Sequence, residues 1–155
     1  MQRVPRRVPT LLLRPPLDLC RTTGVPLGAG SRVVVMRDLG GVADALLPRL
    51  AALGVEALVL GDEPRAPRSA DIVERVQAFA AAGPVQGVFW LPGADDEGDA
   101  ASMDLEGFRE GLRVRVKLLA DTMRALYDAI ARPGTFLVTA TRLGGGHGYD
   151  AAGAA

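Results

Sequence analysis

Along this chain, short apolar runs alternate with stretches in which apolar residues recur every three or four positions. Arg32-Val-Val-Val-Met36 is a β-branched run of the kind that forms a buried strand. Gly40 and Gly41 follow it, and then Val42, Leu46, Leu47, Leu50 and Leu53 recur at helical spacing. Pro48 falls inside that pattern and predicts a helix that bends or starts late, while Gly54 stands as a natural residue just past its end. Residues 56–60, Glu-Ala-Leu-Val-Leu, read as a second strand, and 61–69 as a Pro/Arg/Ser loop. A second helix covers 71–82, with Ser69 or Ala70 near its start. It turns Ile72, Val73, Val76, Phe79 and Ala80 inward, and Gly83-Pro84 stops it. Residues 86–91 make a third strand and 92–102 an acidic loop. The longest helix begins at Asp104: Phe108, Leu112, Val116, Leu119, Met123, Leu126 and Ile130 form its apolar stripe. Arg109, Arg113, Lys117, Asp121, Arg124 and Asp128 lie opposite. Pro133-Gly134 ends it, and Thr135 to Thr139 is the fourth strand.

Strands alternating with helices imply βαβ crossovers and a parallel sheet. The predicted fold is α/β: a truncated Rossmann-like domain of about four parallel strands with helices on both faces. Residues 1–30 carry five prolines and no sustained apolar period, and read as a linker; residues 31–155 form the domain. A chain of 155 residues, 48% apolar, fills one core. A net charge of zero supplies no basic field for nucleic acid. One cysteine, Cys20, and one histidine, His147, leave no disulfide framework and no histidine- or cysteine-based metal centre. No apolar run is long enough to cross a bilayer, and Leu11-Leu12-Leu13 is too short for a signal-peptide core. A cytoplasmic protein is the default expectation.

In a dinucleotide-binding domain, the first strand-to-helix turn carries Gly-x-Gly-x-x-Gly, so that backbone amides approach the pyrophosphate at the helix N-terminus. Here the turn reads Arg37-Asp38-Leu39-Gly40-Gly41-Val42-Ala43. Two glycines are present without the spacing, which fits a tight turn and close helix–strand packing. Asp38 sets a carboxylate where it would repel a diphosphate. Asp62, after the second strand, reads as a solvated turn residue without that loop, although its position also suits a ribose contact. Asp95, Asp96, Glu97 and Asp99 lack the alternating spacing of a calcium loop and read as solvated. Trp90 reads as core, and His147, within Gly144-Gly-Gly-His-Gly148, as a surface residue with no serine or cysteine near it in sequence.

Residues 31–153 resemble the structural, N-terminal half of a ketoreductase region from a polyketide synthase or polyunsaturated fatty acid synthase. The resemblance lies in Val33-Val-Val-Met-Arg-Asp-Leu-Gly-Gly-Val-Ala-Asp-Ala-Leu46, Gly87-Val-Phe-Trp-Leu-Pro92, Val114-Arg-Val-Lys117 and Gly134-Thr-Phe-Leu-Val-Thr-Ala-Thr141. It implies a truncated Rossmann half that stabilises a complete catalytic half. The catalytic half binds NADPH and reduces a β-ketoacyl thioester. This chain itself is expected to bind no cofactor and no metal. Its expected partners are the catalytic half and the other synthase domains, with neither nucleic acid nor membrane among them. Isolated, it is expected to self-associate through the face that meets its other half. One strand and one helix of a complete short-chain reductase are missing between the second and third strands.

Reductases of that superfamily use a serine, a tyrosine and a lysine, often with an asparagine; the lysine lowers the tyrosine pKa. By resemblance Lys117 matches the lysine, and Thr139 or Thr141 replaces the serine. Tyr149 comes too early for the tyrosine, whose fitting positions hold Ala152 or Ala154, and the chain has no asparagine. The residue-level reading of Lys117 is a solvated helix-face charge. Lys117 and Thr139 are therefore the candidate catalytic residues of a chain expected to be inactive by itself. The chain ends in Ala151-Ala-Gly-Ala-Ala155, where a further helix would begin, so truncation there is expected. Two alternatives stay open: a stand-alone Rossmann-like interaction module, and a short-chain reductase that borrows missing residues from a partner.

Overall fold

The computed structural model describes residues 18, 24–62, 67–96, 98 and 102–142. Four strands form one sheet: β1 (Arg32–Met36), β2 (Glu56–Leu60), β3 (Gly87–Trp90) and β4 (Phe136–Thr139). Their order is β2-β1-β3-β4, and every pairing is parallel. Five α-helices accompany them among the described residues: α1 (Val42–Ala52), α2 (Ser69–Ala81), α3 (Leu105–Leu112), α4 (Leu118–Ala125) and α5 (Tyr127–Ile130), with a short 3-10 turn at Pro92–Ala94. The fold is the expected α/β, Rossmann-like one.

Helices cover both sheet faces, and alternation along β1 divides the core. Val33 and Val35 pack with Ala43 and Leu50 of α1. Val34 and Met36 pack with Ile72 and Val76 of α2, Trp90 of β3, and Leu118 and Leu126 from the long helical region. Burial on two faces explains why β1 is continuously apolar rather than alternating. At the far side of the sheet β4 departs from that expectation: Leu137, Val138 and Thr139 are exposed.

α1 starts at Val42 and runs through Pro48 to Ala52. The proline sits on the exposed side of the helix, so its ring faces solvent rather than the core. At the C-terminus, Gly54 adopts a left-handed φ of 73°. Its N–H donates to the Ala51 carbonyl at 2.9 Å, and the Val55 N–H to Leu50 at 3.0 Å. This Schellman arrangement satisfies carbonyls that would otherwise be orphaned and brings Val55 onto Leu50. The described part of the proline-rich lead docks nearby: the Gly30 N–H donates to the Gly54 carbonyl, and Leu27 packs on the α1 side of the core.

The long helix differs from its expected form. Asp104 caps α3, its carboxylate accepting from the Gly107 N–H at 2.7 Å. The helix then widens into a π segment, Arg113–Lys117, before α4, and Leu126 separates α4 from α5. Leu119, Met123, Leu126 and Ile130 reach the core as expected. Phe108, Leu112 and Val116 do not; Phe108 is 57% and Val116 53% exposed. The buried line is instead Leu118, Thr122 and Leu126. The physical reason is orientation: α3 turns Gly107, Glu110 and Gly111 toward a cavity at the strand ends, its apolar stripe lies outside that lining, and the π segment offsets the stripe from the buried line of α4. The opposite face is not simply solvated. Arg113 donates to the Pro67 carbonyl at 2.8 Å, and Ser69 Oγ donates to Asp121 at 2.5 Å, tying the start of α2 to α4.

Candidate functional site

From β1 the chain crosses to β2 on one side and then returns to β3 on the other. The strand order therefore reverses between β1 and β3, and ligands of open α/β sheets bind outside the C-terminal strand ends at such a point. A cavity of about 440 Å³ lies there. Met36, Arg37 and Leu39 line it from the end of β1, Gly61 from β2, and Pro92, Asp95 and Asp96 from beyond β3. Met103, Gly107, Glu110, Gly111, Val114 and Arg115 close it from the α3 side. Arg115 is held in the wall by donation from Nε to the Pro92 carbonyl at 3.1 Å. Glu110 is hydrogen-bonded to Arg113, which holds its carboxyl below the usual range despite partial burial. The wall therefore carries an ionised carboxylate at neutral pH.

The β1–α1 turn borders this cavity through Arg37 and Leu39. Asp38 is buried, and its two oxygens accept from the first amides of α1: Oδ2 from Val42 at 2.9 Å and Oδ1 from Ala43 at 2.7 Å. Burial pushes its carboxyl pKa up. Hydrogen bonds from the Ala43 and Val42 amides, with its own and that of Gly40, outweigh this and hold it below the ordinary value. Gly41 takes a φ of 88°, which turns the chain around the carboxylate. The Leu39 N–H donates to Asp95 Oδ1 at 2.6 Å, and the Arg37 guanidinium pairs with Asp44. A dinucleotide needs these amides for its diphosphate. Here they are engaged by carboxylates, so the turn does not fit that group.

The two candidate catalytic residues stand apart from this arrangement. Lys117 is exposed at the end of the π segment, and Thr139 is exposed at the end of β4, in register with Trp90. Neither lines the cavity, and no hydrogen bond joins them among the described residues. Thr141 is also exposed. Asp62 pairs with Arg75 of α2 at 3.6 Å. Asp96 accepts from the Gly98 N–H at 2.8 Å, closing a local turn. Trp90 is core, 2% exposed. Glu97, Asp99, His147, Tyr149 and the alanines Ala152 and Ala154 lie outside the described residues. Among those described, no cluster of three or more His, Cys, Asp or Glu is arranged to hold a metal.

Sequence reasoning placed Asp38 at the phosphate position but missed its partners. It also read Asp95 as solvated, whereas that carboxylate closes the turn across the crevice. The spacing Asp38–Val42/Ala43 carried a usable signal: an acidic residue just ahead of a glycine pair and a helix start. The Asp95 contact, 56 residues from Leu39 in sequence, carried none.

No protein-family model and no curated protein sequence matches the chain. Solved structures do. One, described as a short-chain dehydrogenase from Escherichia coli CFT073 complexed with NADPH, has a TM-score of 0.57 at 17% identity, covering 73% of this chain and 59% of that one. Another, the NADH-dependent reductase A1-R′ responsible for alginate metabolism, has a TM-score of 0.50 at 11% identity, covering 73% of this chain and 58% of that one. The fold is thus that of short-chain dehydrogenases and reductases. The aligned part of each of these structures is about three-fifths of its length.

Proposed function

We propose that this chain is the non-catalytic structural half of an NADPH-dependent β-ketoacyl reductase region in a polyketide or fatty-acid synthase. The observation that carries the reading is a reductase-like sheet whose dinucleotide turn is filled by the chain's own carboxylates. Such a half contributes a folded platform, while NADPH and the reducing residues belong to the adjoining half. Lys117 and Thr139 then serve no chemistry in this chain. The exposed side chains of β4 and the outward stripe of α3 supply apolar surface for the partner. Interfaces between domains of one chain commonly bury about 600–1,500 Å².

The test is to mix the chain with the catalytic half of a ketoreductase of this type and follow melting. Binding to the native state raises the melting temperature by mass action. The expected result is a concentration-dependent rise, with suppression of the self-association expected of the isolated chain. Strict monomers whose melting ignores the catalytic half would favour a second reading, a stand-alone interaction module. The same exposed stripe of Leu105, Phe108, Leu112 and Val116 supports that alternative.

A further inference from the structure

We infer that Asp38 is an internal substitute for the phosphate group of a dinucleotide: the chain folds its β1–α1 turn around its own carboxylate and closes the anion site at the switch point. The inference rests on the geometry of the turn and holds whether or not the chain serves in a synthase.

Four donors belong to this turn, where dinucleotide folds seat a phosphate, and each is engaged from within. The Val42 and Ala43 amides hold Asp38, the Leu39 amide holds Asp95, and the Arg37 guanidinium holds Asp44. This is not an ordinary helix cap. A capping side chain usually comes from the N-cap residue and takes the second or third amide of the helix. Here the N-cap is Gly41, which has no side chain to offer. The acceptor comes from three residues upstream and takes the first two amides, one per oxygen. Those amides open along the axis toward the positive end of the helix dipole, where an external phosphate binds in dinucleotide folds. The glycine pair serves the same end. A Cβ at position 40 would stand 3.2 Å from Asp38 Oδ2, so the bare backbone there makes room for the carboxylate. With Asp38 buried and its carboxyl held below the ordinary range, a diphosphate brought to the start of α1 would meet a fixed negative charge and find the Val42 and Ala43 amides already taken.

The test uses the full chain, as wild type, Asp38→Ser and Asp38→Asn, with inorganic pyrophosphate and NADPH as probes against sodium chloride at matched ionic strength. The wild type is expected to show no saturable heat or melting shift with either probe. Asp38→Ser vacates the position; it is expected to melt several degrees lower and to recover at least half of that loss in millimolar pyrophosphate, saturably. Asp38→Asn keeps the position filled by a neutral amide and is expected to fold without gaining an anion response. If Asp38→Ser folds only with pyrophosphate present, that supports the substitution as strongly. Saturable binding of either probe by the wild type would overturn it. So would an Asp38→Ser chain that pyrophosphate neither stabilises nor refolds while Asp38→Asn remains folded, because the carboxylate would then be a purely local prop.

Discussion

Arg32 offers the sharpest measure of what holds the sheet to its helices. Its side chain is 11% exposed at the start of β1, and Nη1 donates to the Phe79 and Gly83 carbonyls, each at 2.8 Å. The Phe79 carbonyl belongs to the last turn of α2 and that of Gly83 lies just past its end, where a helix leaves acceptors unpaired and its dipole favours a cation. The guanidinium also lies 3.8 Å from the centre of the Phe79 ring, and Nε donates to Glu56 at 2.8 Å. These contacts differ in worth. Glu56 is 62% exposed, so its ion pair contributes about 1 kcal/mol or less. The carbonyl bonds to a charged donor are each worth about 1.5–3 kcal/mol, and the ring contact about 0.5–2. The Phe79 carbonyl keeps a second donor, the Ala82 N–H at 3.2 Å, which limits the loss.

Arg32→Ala is therefore expected to cost about 2–4 kcal/mol, below the plain sum because the contacts share one group. In urea that displaces the unfolding midpoint by about 1–2 M with the slope unchanged. Glu56→Gln should cost about 1 kcal/mol at most. Arg32→Lys should fall between the two, because an ammonium keeps the charge and loses the planar fork. Equal losses for Glu56→Gln and Arg32→Ala would refute the reasoning: the ion pair, and not the anchoring of α2, would then carry the effect.

Two further outcomes follow from the same geometry. Leu118→Ala should cost about 2–5 kcal/mol by opening a cavity in the core, whereas the half-exposed Phe108 should lose only about 1 kcal/mol or less on truncation to alanine in the isolated chain; denaturant melts of both variants check the revised helix face. Asp38 has a depressed carboxyl pKa in the folded state, so its contribution to stability is present above the unfolded carboxylate value of about 3.9 and is lost as pH falls through the folded value. The stability gap between wild type and Asp38→Asn should accordingly close on acidification below about pH 4, while the lowered carboxyls of Asp71 and Glu110 are common to both proteins and cancel in the difference.

Much of the architecture is legible in local pattern. β1 is a run of β-branched residues that only a two-sided burial explains, and α1 ends where Gly54 and Val55 complete a cap. The strand order could not be read the same way, since pairing of β1 with β3 depends on contacts 54 residues apart, such as the Arg32 N–H to Gln86 bond. The helical stripe misled in its first half for a related reason. Periodicity reports which side of a helix is apolar, not what lies against that side. Phe108, Leu112 and Val116 keep the period in sequence, but α3 turns its glycine face toward the cavity and the π segment breaks the helical phase before α4, so these three stay exposed. Asp95 shows the same limit in a polar residue: one acidic side chain in an acidic loop has no local mark of the amide it holds across the crevice.

The turn after β1 links these observations to function. A Rossmann helix that relies on a cofactor leaves its first amides waiting for phosphate, and without the ligand those donors must be satisfied by water. Supplying a carboxylate from within removes that dependence, and a charged acceptor at a helix N-terminus stabilises by about 0.5–2 kcal/mol. By this inference the residue that stabilises the empty fold also bars the ligand, and Asp38→Asn and Asp38→Ser weigh the two effects apart. A turn built in this way satisfies the Val42 and Ala43 amides without a nucleotide. That property is what the proposed structural half requires, since by that reading NADPH is taken up and released by the adjoining half.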